Sequence, residues 1–303
     1  MTDGPGPRLS VVIATHDNLP VLTRCLNAWR RYALDRPVEL LVVEDGCTDD
    51  TPAYLRSVAT EAWGTMTMRA LHEDNVHELM CTNRGFREAR APLILSWHDD
   101  MFVQASWFVP EVLRTFDAYP DIGLLSLSRG LRCHPLDEPI RTFDDSVDWR
   151  RLESTIGNGP FNWLRLTEVD AVMRPWAVRR ACIDRVGPLD EVFRPTEWDE
   201  ADFCFRIRAA GWKVATHGFE RGGAYEHLLS TTYGRTPSER RQAAALRNAM
   251  VFHERWDPAI ADRHGRVLQH WRRRMSVAGM TGTLLAAART ATRPGGGAPR
   301  ERA

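Results

Sequence analysis

The sequence predicts an α/β protein whose central sheet is mostly parallel, and two observations support this fold class. Short apolar runs rich in β-branched residues occupy 9–14 (LSVVIA) and 38–43 (VELLVV), as is typical of strands covered on both faces. Between them, apolar residues recur at helical spacing through 19–32. A strand, a helix and a second strand in this order predict a βαβ unit at the start of the chain.

The same alternation continues along the chain. Further strands are predicted at 66–71, 92–97 and 122–127. Helical patterns follow at 76–90, 175–186, 199–211 and 236–255. The segment 128–165 has no clean period and is long for a connection, so we expect it on the acceptor side of a site.

Length and composition exclude several classes of protein. The 303 residues can bury a large core, and 40 basic residues balance 40 acidic ones, so no overall positive field predicts a nucleic-acid partner. The six cysteines form no CxxC pair or metal-ligand spacing, which predicts reduced thiols. No apolar stretch approaches the roughly 20 residues of a membrane span. We therefore expect a soluble, cytoplasmic protein.

Acidic clusters follow three of the predicted strands, at 16–18 (HDN), 44–46 (EDG) and 98–100 (HDD). Ligands of open α/β sheets bind at the carboxyl ends of the strands, where these clusters should meet. For any one cluster, a helix cap or turn is an equally good interpretation. Three clusters at one sheet edge favour a ligand site.

The adjacent carboxylates of Asp99 and Asp100 are the sharpest feature of this edge. Two neighbouring carboxylates repel each other unless a cation neutralises them. Mg²⁺ binds through one or two carboxylates while substrate phosphates complete its shell. The sequence therefore predicts a metal and diphosphate site, whereas the absence of GxxxxGK[ST] and GxGxxG argues against P-loop and dinucleotide folds.

Several motifs occur in an order that resembles the family 2 glycosyltransferases. They are VVIATHDN, VVEDGCTDDT, TNRG, SWHDDMF, VGPLDEVF and EWDEADFCFRIRAAGW. The resemblance covers about residues 8–256 and implies the three-layer GT-A fold of nucleotide-diphospho-sugar transferases, with a mostly parallel sheet. It divides the domain into a nucleotide-sugar half at 8–127 and an acceptor and catalytic half at 128–256. A basic helical extension at 257–291 and a disordered tail at 292–303 would follow.

The resemblance assigns nucleotide-sugar contacts to five residues. Thr15, His16 and Asp45 resemble the family's contacts to the base and ribose. Asn83 resembles a polar residue packed near the nucleotide, and Asp99 belongs to the signature acidic motif. Because Asn83 falls on the apolar stripe of its predicted helix, its amide must find partners inside the protein.

The metal ligands implied by the resemblance are Asp100, the last aspartate of the acidic motif, and His227. The expected ion is Mn²⁺ or Mg²⁺. Taken alone, His227 is more often an ordinary histidine, but its aligned position favours a ligand. His98 stands where the family often has the first aspartate of DxD, so its role stays open.

Two adjacent acids, Asp199 and Glu200, are the candidate catalytic bases, since an inverting transfer needs a base for the acceptor hydroxyl. The family usually has Glu followed by Asp, and this chain inverts the order. Glu200 occupies the usual position of the base and is favoured. Asp199 also fits a capping pattern that begins at Thr196. Asp202 and Arg206 are expected to form an ordinary helix pair.

These assignments predict a metal-dependent, inverting hexosyltransferase. Its donor would carry UDP, with dTDP and GDP as alternatives, and its hydroxyl acceptor would be a glycan, a lipid-linked molecule or a small molecule. Two other functions stay open: an inactive nucleotide-sugar-binding partner protein and a metal-dependent phosphohydrolase. The basic extension either contacts a membrane surface peripherally or packs on the domain. For Trp163, Trp176 and Trp198, core packing is favoured over sugar stacking.

Overall fold

The computed structural model contains one large sheet with helices on both faces. It describes residues 6–128, 130–131, 166–195, 197–219, 222–228, 243–245, 247–248, 250–252 and 254–256. Most of the segment at 128–165 with Trp163, the basic extension at 257–291 and the tail at 292–303 lie outside the described residues.

The strands and helices of the described residues are numbered here in chain order. The strands are β1 (Leu9–Thr15), β2 (Val38–Asp45), β3 (Thr67–Glu73), β4 (Leu93–His98), β5 (Met101–Val103), β6 (Ile122–Ser126), β7 (Gly130–Leu131), β8 (Thr167–Glu168), β9 (Ala171–Val172), β10 (Trp176–Arg179), β11 (Lys213–Thr216) and β12 (Tyr225–His227). The helices are α1 (Leu19–Ala33), α2 (Thr51–Val58), α3 (Glu78–Glu88), α4 (Phe108–Ala118), α5 (Arg180–Val186) and α6 (Asp199–Ala209), with a 3₁₀ turn at Glu191–Phe193.

The eight-stranded sheet has the order β3-β2-β1-β4-β10-β6-β11-β8. The first four strands in this order pair in parallel, and β11 pairs in parallel with β6. In contrast, β10 lies antiparallel between β4 and β6. The predicted fold class, α/β with a mostly parallel sheet, is confirmed. The five strands predicted between residues 9 and 127 all lie in this sheet.

The predicted helix at 175–186 is only partly correct. Its first half is strand β10, and helix α5 begins at Arg180. Trp176, Ala177 and Val178 are fully buried between the neighbouring strands. Because a strand buried on both faces reads as a continuous apolar run, periodicity could not separate it from a buried helix.

The other helix predictions agree with the structure. The patterns at 19–32, 76–90 and 199–211 correspond to α1, α3 and α6. Within the predicted helix at 236–255, the described residues from 243 onward are helical. Among the described residues, no helix combines the length and the apolar character needed to cross a membrane.

Two hydrophobic layers explain why the first strand carries apolar residues on both faces. Val11 and Ile13 of β1 belong to the same core cluster as Trp29 of α1. Val12 faces the opposite layer, which contains Phe86 of α3. Successive side chains of a strand point to opposite faces, so a strand between two helical layers has no polar face.

Gly85 marks the closest approach of α3 to the sheet, and its replacement tests this packing. A methyl group at Gly85 would overlap both methyl groups of Val12, coming within 2.7 Å of Cγ2. We expect Gly85→Ala to lower the free energy of unfolding by about 1–3 kcal/mol, as overpacked cores do. Urea unfolding measures the change. Gly6→Ala, where a methyl group meets nothing within 4 Å, is the matched control. Equal stability of the two variants would contradict the tight packing.

Candidate functional site

The carboxyl ends of β1, β2 and β4 bring the predicted acidic clusters to one edge of the sheet. Thr15 is paired with Glu44 across β1 and β2, and Ala14 is paired with His98 across β1 and β4. Thr15 Oγ1 donates a hydrogen bond of 2.8 Å to Asp99 Oδ2. The parallel register alone therefore places the HDD cluster against the end of the first strand.

Asp99 is buried at this edge beside another carboxylate. Burial raises the pKa of Asp99 above its ordinary value, and the neighbouring Asp100 raises it further, while hydrogen bonds from Thr15 and Asn18 lower it. The Asn18 amide donates to Asp99 Oδ2 at 3.2 Å. Two adjacent buried carboxylates are suited to neutralisation by a cation.

Three possible metal ligands converge next to Asp99. Oδ1 of Asp100 lies 3.4 Å from Nε2 of His227 and 3.9 Å from Nδ1 of His98. The ligand atoms of these three residues all lie within 4.8 Å of one another. Two ligands that bind one ion at about 2.0–2.2 Å are about 3–4 Å apart. The two distances to Asp100 Oδ1 fall in this range, so the three residues are close to the arrangement that a single cation requires. The structure thus brings the predicted ligands Asp100 and His227 together and adds His98.

A short ribbon holds His227 in this place. Strand β12 pairs antiparallel with β5, and His227 is opposite Met101 in the register. One residue further, the backbone N–H of Leu228 donates to the carbonyl of Asp100 at 3.0 Å. Backbone pairing between antiparallel strands thus fixes residues more than 120 positions apart in sequence as neighbours.

The donor-side residues from the sequence analysis divide into two groups. His16 donates its Nδ1–H to the carbonyl of Asp45 at 2.7 Å, and the Asp45 carboxylate accepts backbone hydrogen bonds from Val76 and His77. Together with Thr15 and Asp99, His16 and Asp45 lie at the carboxyl ends of the strands and form the first group. Asn83 forms the second group, because its side chain has different partners.

Asn83 instead connects α3 to the segment before the 3₁₀ turn. Its amide donates to the carbonyl of Leu189 at 2.8 Å and accepts from the N–H of Leu189 at 3.0 Å. The side chain is fully buried. The partners that the sequence analysis required for this amide are therefore backbone groups, and the geometry gives Asn83 a structural contact and no nucleotide-facing surface.

Arg174 connects the metal-ligand cluster to the two candidate bases. Its guanidinium is buried and forms ion pairs with Glu78, with Glu200 at 2.9 Å and with Asp199 at 3.5 Å. Glu78 in turn lies 2.8 Å from Nε2 of His98. The continuous sequence of contacts from Asp100 through His98, Glu78 and Arg174 to Glu200 is called the acid network below.

Sequence reasoning missed Glu78 and Arg174. Glu78 is the first residue of α3, where an acidic residue is ordinary because of the helix dipole. Arg174 lies just before β10 in a segment whose apolar pattern predicts only packing. No spacing in the sequence connects these two residues, since 96 positions separate them.

The two candidate bases occupy different environments. The Asp199 side chain is 2% exposed and the Glu200 side chain 21%. Burial raises the pKa of Asp199 to about 7, Arg174 opposes this rise and Glu200 adds to it. Glu200 accepts a hydrogen bond of 2.8 Å from the indole N–H of the buried Trp176. Glu200 is thus held by the Trp176 indole and partly exposed, whereas Asp199 is enclosed.

The capping interpretation of Asp199 is wrong. Asp199 is the first residue of α6, and the N-cap is Trp198, which makes no side-chain cap hydrogen bond. A capping box would require the acidic residue at the third helical position. Thr196 lies outside the described residues. Asp202 and Arg206 do form the predicted helix pair, at 2.8 Å.

The turn before α6 is strained and is supported from the C-terminal side. Glu197 and Trp198 both have left-handed backbone angles, with φ of 77° and 72°. The buried amide of Asn248 donates to the carbonyl of Glu197 at 3.0 Å, and Phe252 packs on Trp198 with ring centroids 5.2 Å apart. Strained backbone persists where surrounding contacts fix it, and it is frequent at active sites.

Solved structures share this fold at low sequence identity. S. aureus TarS, residues 1–349 in complex with UDP-GlcNAc, is 13% identical with a TM-score of 0.53 over 80% of this chain and 66% of that one. The mannosyltransferase PcManGT of Pyrobaculum calidifontis, with GDP-Man and Mn²⁺, is 18% identical with a TM-score of 0.52 over 96% and 77%. GalNAc-T7, with UDP, GalNAc and Mn²⁺, is 14% identical with a TM-score of 0.61 over 86% and 50%.

The fold and the strand-edge site together define a protein of the GT-A class. Residues 10–128 match the family model described as Glycosyl transferase family 2. Over these residues, the match confirms the resemblance found in the motifs. A search of curated proteins finds no match. The chain spans 39% of S. aureus TarS in a further structure and 66% of its residues 1–349.

The raised pKa of Asp199 predicts a pH-dependent stability. Between its ordinary value of 3.8 and about 7, the folded chain holds a proton on Asp199 that the unfolded chain has released. The wild type therefore loses stability from this group as the pH rises through that window. We expect the free energy of unfolding of Asp199→Asn, minus that of the wild type, to increase over the window and to level off above it. Urea unfolding as a function of pH measures it, and a pH-independent difference would refute the prediction.

Proposed function

We propose that this protein is a metal-dependent, inverting glycosyltransferase that moves a hexose from a nucleoside diphosphate sugar to a hydroxyl acceptor. UDP is the proposed donor nucleotide, with dTDP and GDP as the alternatives. The observation that carries the proposal is the acid network, because it connects a metal-ligand cluster to a partly exposed carboxylate. The match of residues 10–128 to the family model supports the same reaction class.

In this proposal, Asp100 and His227 hold Mn²⁺ or Mg²⁺ against the diphosphate of the donor. A bound divalent ion supplies positive charge to the leaving diphosphate. Thr15, His16, Asp45 and Asp99 line the donor side of the same edge. The assignment of Asn83 to the nucleotide is replaced by a supporting role, since Leu189 occupies both ends of its amide.

Glu200 is the proposed base. It takes the proton of the acceptor hydroxyl while the hydroxyl oxygen attacks the anomeric carbon and the bond to the diphosphate oxygen breaks. The Trp176 indole donates a hydrogen bond of 2.8 Å to Glu200 Oε1, and the Arg174 guanidinium forms an ion pair with the same oxygen at 2.9 Å. Both contacts fall on Oε1, which leaves the second carboxylate oxygen for the acceptor. Asp199 is the alternative base, and its enclosure is the reason for ranking it second.

The first test is nucleotide binding measured by calorimetry. UDP, dTDP and GDP are titrated into the wild type and into Asp100→Ala, each with and without Mn²⁺. We expect metal-dependent binding of one nucleotide to the wild type and its loss in the variant. Asp121→Ala is the matched control, because Asp121 precedes β6 at the opposite edge of the sheet and pairs with Lys213 on the surface. Failure of every nucleotide to bind would refute the proposed site.

The second test separates the two candidate bases. With the nucleotide sugar identified by calorimetry, release of the nucleoside diphosphate during transfer or slow hydrolysis is followed over time. We expect Glu200→Gln to lower kcat by about 10²–10⁴-fold while nucleotide binding is unchanged, because a general base contributes about this much.

Asp199→Asn is the comparison in the same assay, and its effect should be smaller. A larger loss in Asp199→Asn than in Glu200→Gln would make Asp199 the base. Binding of a nucleotide without any release from its sugar would favour the inactive partner protein. Phosphate release from a simple phosphomonoester would favour the phosphohydrolase.

A further inference from the structure

We propose that His98 is a third protein ligand of the metal, through Nδ1, so that the ion is held by two imidazoles and one carboxylate. This donor set favours Mn²⁺ and Co²⁺ over Mg²⁺. The inference deepens the proposed function, since it rests on the assignment of this sheet edge as the metal site. It concerns the position at which the chain departs from the DxD pattern.

The ring of His98 faces the same carboxylate oxygen as the ring of His227. Nδ1 of His98 is 3.9 Å from Oδ1 of Asp100, and the two ring centroids are 6.0 Å apart at an angle of 62°. The two rings therefore approach Asp100 from different directions and leave space for one ion between the three ligand atoms. The distances of 3.9 Å from His98 and 3.4 Å from His227 to Asp100 Oδ1 match those between ligands of a shared cation.

Glu78 fixes the orientation of the His98 ring. Its carboxylate is 2.8 Å from Nε2, an ion-pair contact that favours a hydrogen on this nitrogen although the two groups are not aligned as a hydrogen bond. In the neutral imidazole the other nitrogen, Nδ1, then has the free lone pair and points to Asp100. A carboxylate that accepts from the distal nitrogen of a histidine is the usual support of a metal-bound imidazole.

Glu78 is itself held in place. It forms an ion pair with the buried guanidinium of Arg174, whose side chain is 6% exposed. Because Arg174 also contacts Glu200 and Asp199, it cannot follow a moving Glu78 without losing those contacts. The acid network thus limits His98 to the orientation that presents Nδ1 to the metal.

The donor set determines which ion binds best. Mg²⁺ is bound mainly by oxygen ligands, including several waters, and gains little from imidazole. Imidazole nitrogen suits the first-row transition ions, whose affinities rise from Mn²⁺ to Co²⁺. An aspartate at position 98 would restore an oxygen ligand, so the identity of this one residue should set the selectivity.

The alternative is that His98 only forms an ion pair with Glu78 and never touches the metal. The two cases differ in the state of Nδ1, which carries a hydrogen in the ion pair and a metal in the proposed site. Nitrogen NMR of the full-length protein labelled with ¹⁵N-histidine distinguishes them, with Zn²⁺ as a diamagnetic probe. We expect Zn²⁺ to shift Nδ1 of His98 and Nε2 of His227. A shift of His227 alone would overturn the inference.

Calorimetry with Mn²⁺, Co²⁺ and Mg²⁺, without nucleotide, gives the second readout. We expect His98→Ala to weaken Mn²⁺ and Co²⁺ binding at least roughly 10-fold and Glu78→Gln to weaken it about 10- to 100-fold. His98→Asp should keep metal binding and shift the preference toward Mg²⁺. The matched control is His72→Ala, because His72 is a strand-end histidine that also pairs with acids but lies outside the ligand cluster.

The outcomes separate this inference from the proposed function. If Asp100→Ala loses Mn²⁺ binding while His98→Ala binds like the wild type, the metal site stands and the role of His98 is refuted. If Zn²⁺ shifts both histidines but no nucleotide binds, the three-ligand site stands and the glycosyltransferase proposal fails. If His98→Asp leaves the preference between Mn²⁺ and Mg²⁺ unchanged, His98 does not determine selectivity.

Discussion

The buried guanidinium of Arg174 is the interaction on which the candidate site depends. Three carboxylates, those of Glu78, Asp199 and Glu200, converge on this one cation. Carboxylates brought together away from water repel one another, and removing the cation would leave them uncompensated. The positive charge of Arg174 therefore allows Glu200, the candidate base, and Glu78, the acid beside His98, to lie close together around one buried side chain.

The position of Arg174 follows from the one antiparallel strand in the middle of the sheet. Because β10 runs against β4, its first residues lie beside the last residues of β4, with Trp176 opposite Ser96. Arg174 and Trp176 thus arrive at the edge that carries the HDD cluster. Arg174 and Trp176, which contact Glu200, belong to β10 and the residues before it. Asn248 and Phe252 contact the turn that precedes the helix of Glu200. Groups fixed by rigid elements keep their geometry better than groups on loops.

Sequence patterns predicted the part of the protein that depends on local chemistry. Strands covered on both faces appear as apolar runs, and acids after those runs must meet at one edge. The cross-chain pairs were not predictable in this way. Arg174 and Glu78 are 96 positions apart, and Asn83 finds its partner 106 positions away at Leu189. Such contacts depend on how helices sit on the sheet, which a single sequence does not specify.

The inverted order of the two acids on α6 has a physical basis. Consecutive helical residues project about 100° apart, so adjacent acids at the start of a helix face different surroundings. Here the shorter Asp199 is enclosed, with 2% of its side chain exposed, while 21% of the longer Glu200 side chain is exposed. The inversion places the longer carboxylate on the accessible side, where an acceptor hydroxyl would be.

The departure at His98 has a basis in the same network. Glu78 lies 2.8 Å from Nε2 of His98, so an aspartate at this position would place a second carboxylate beside Glu78. An imidazole replaces that repulsion by an ion-pair contact and keeps its other nitrogen 3.9 Å from Asp100 Oδ1. Both departures from the family pattern thus lie within the acid network. Asp199 and Glu200 contact Arg174 directly, and His98 contacts Glu78, which pairs with Arg174. Contacts of this kind are what the proposed enzyme would need to hold its metal ligands and its base in fixed positions.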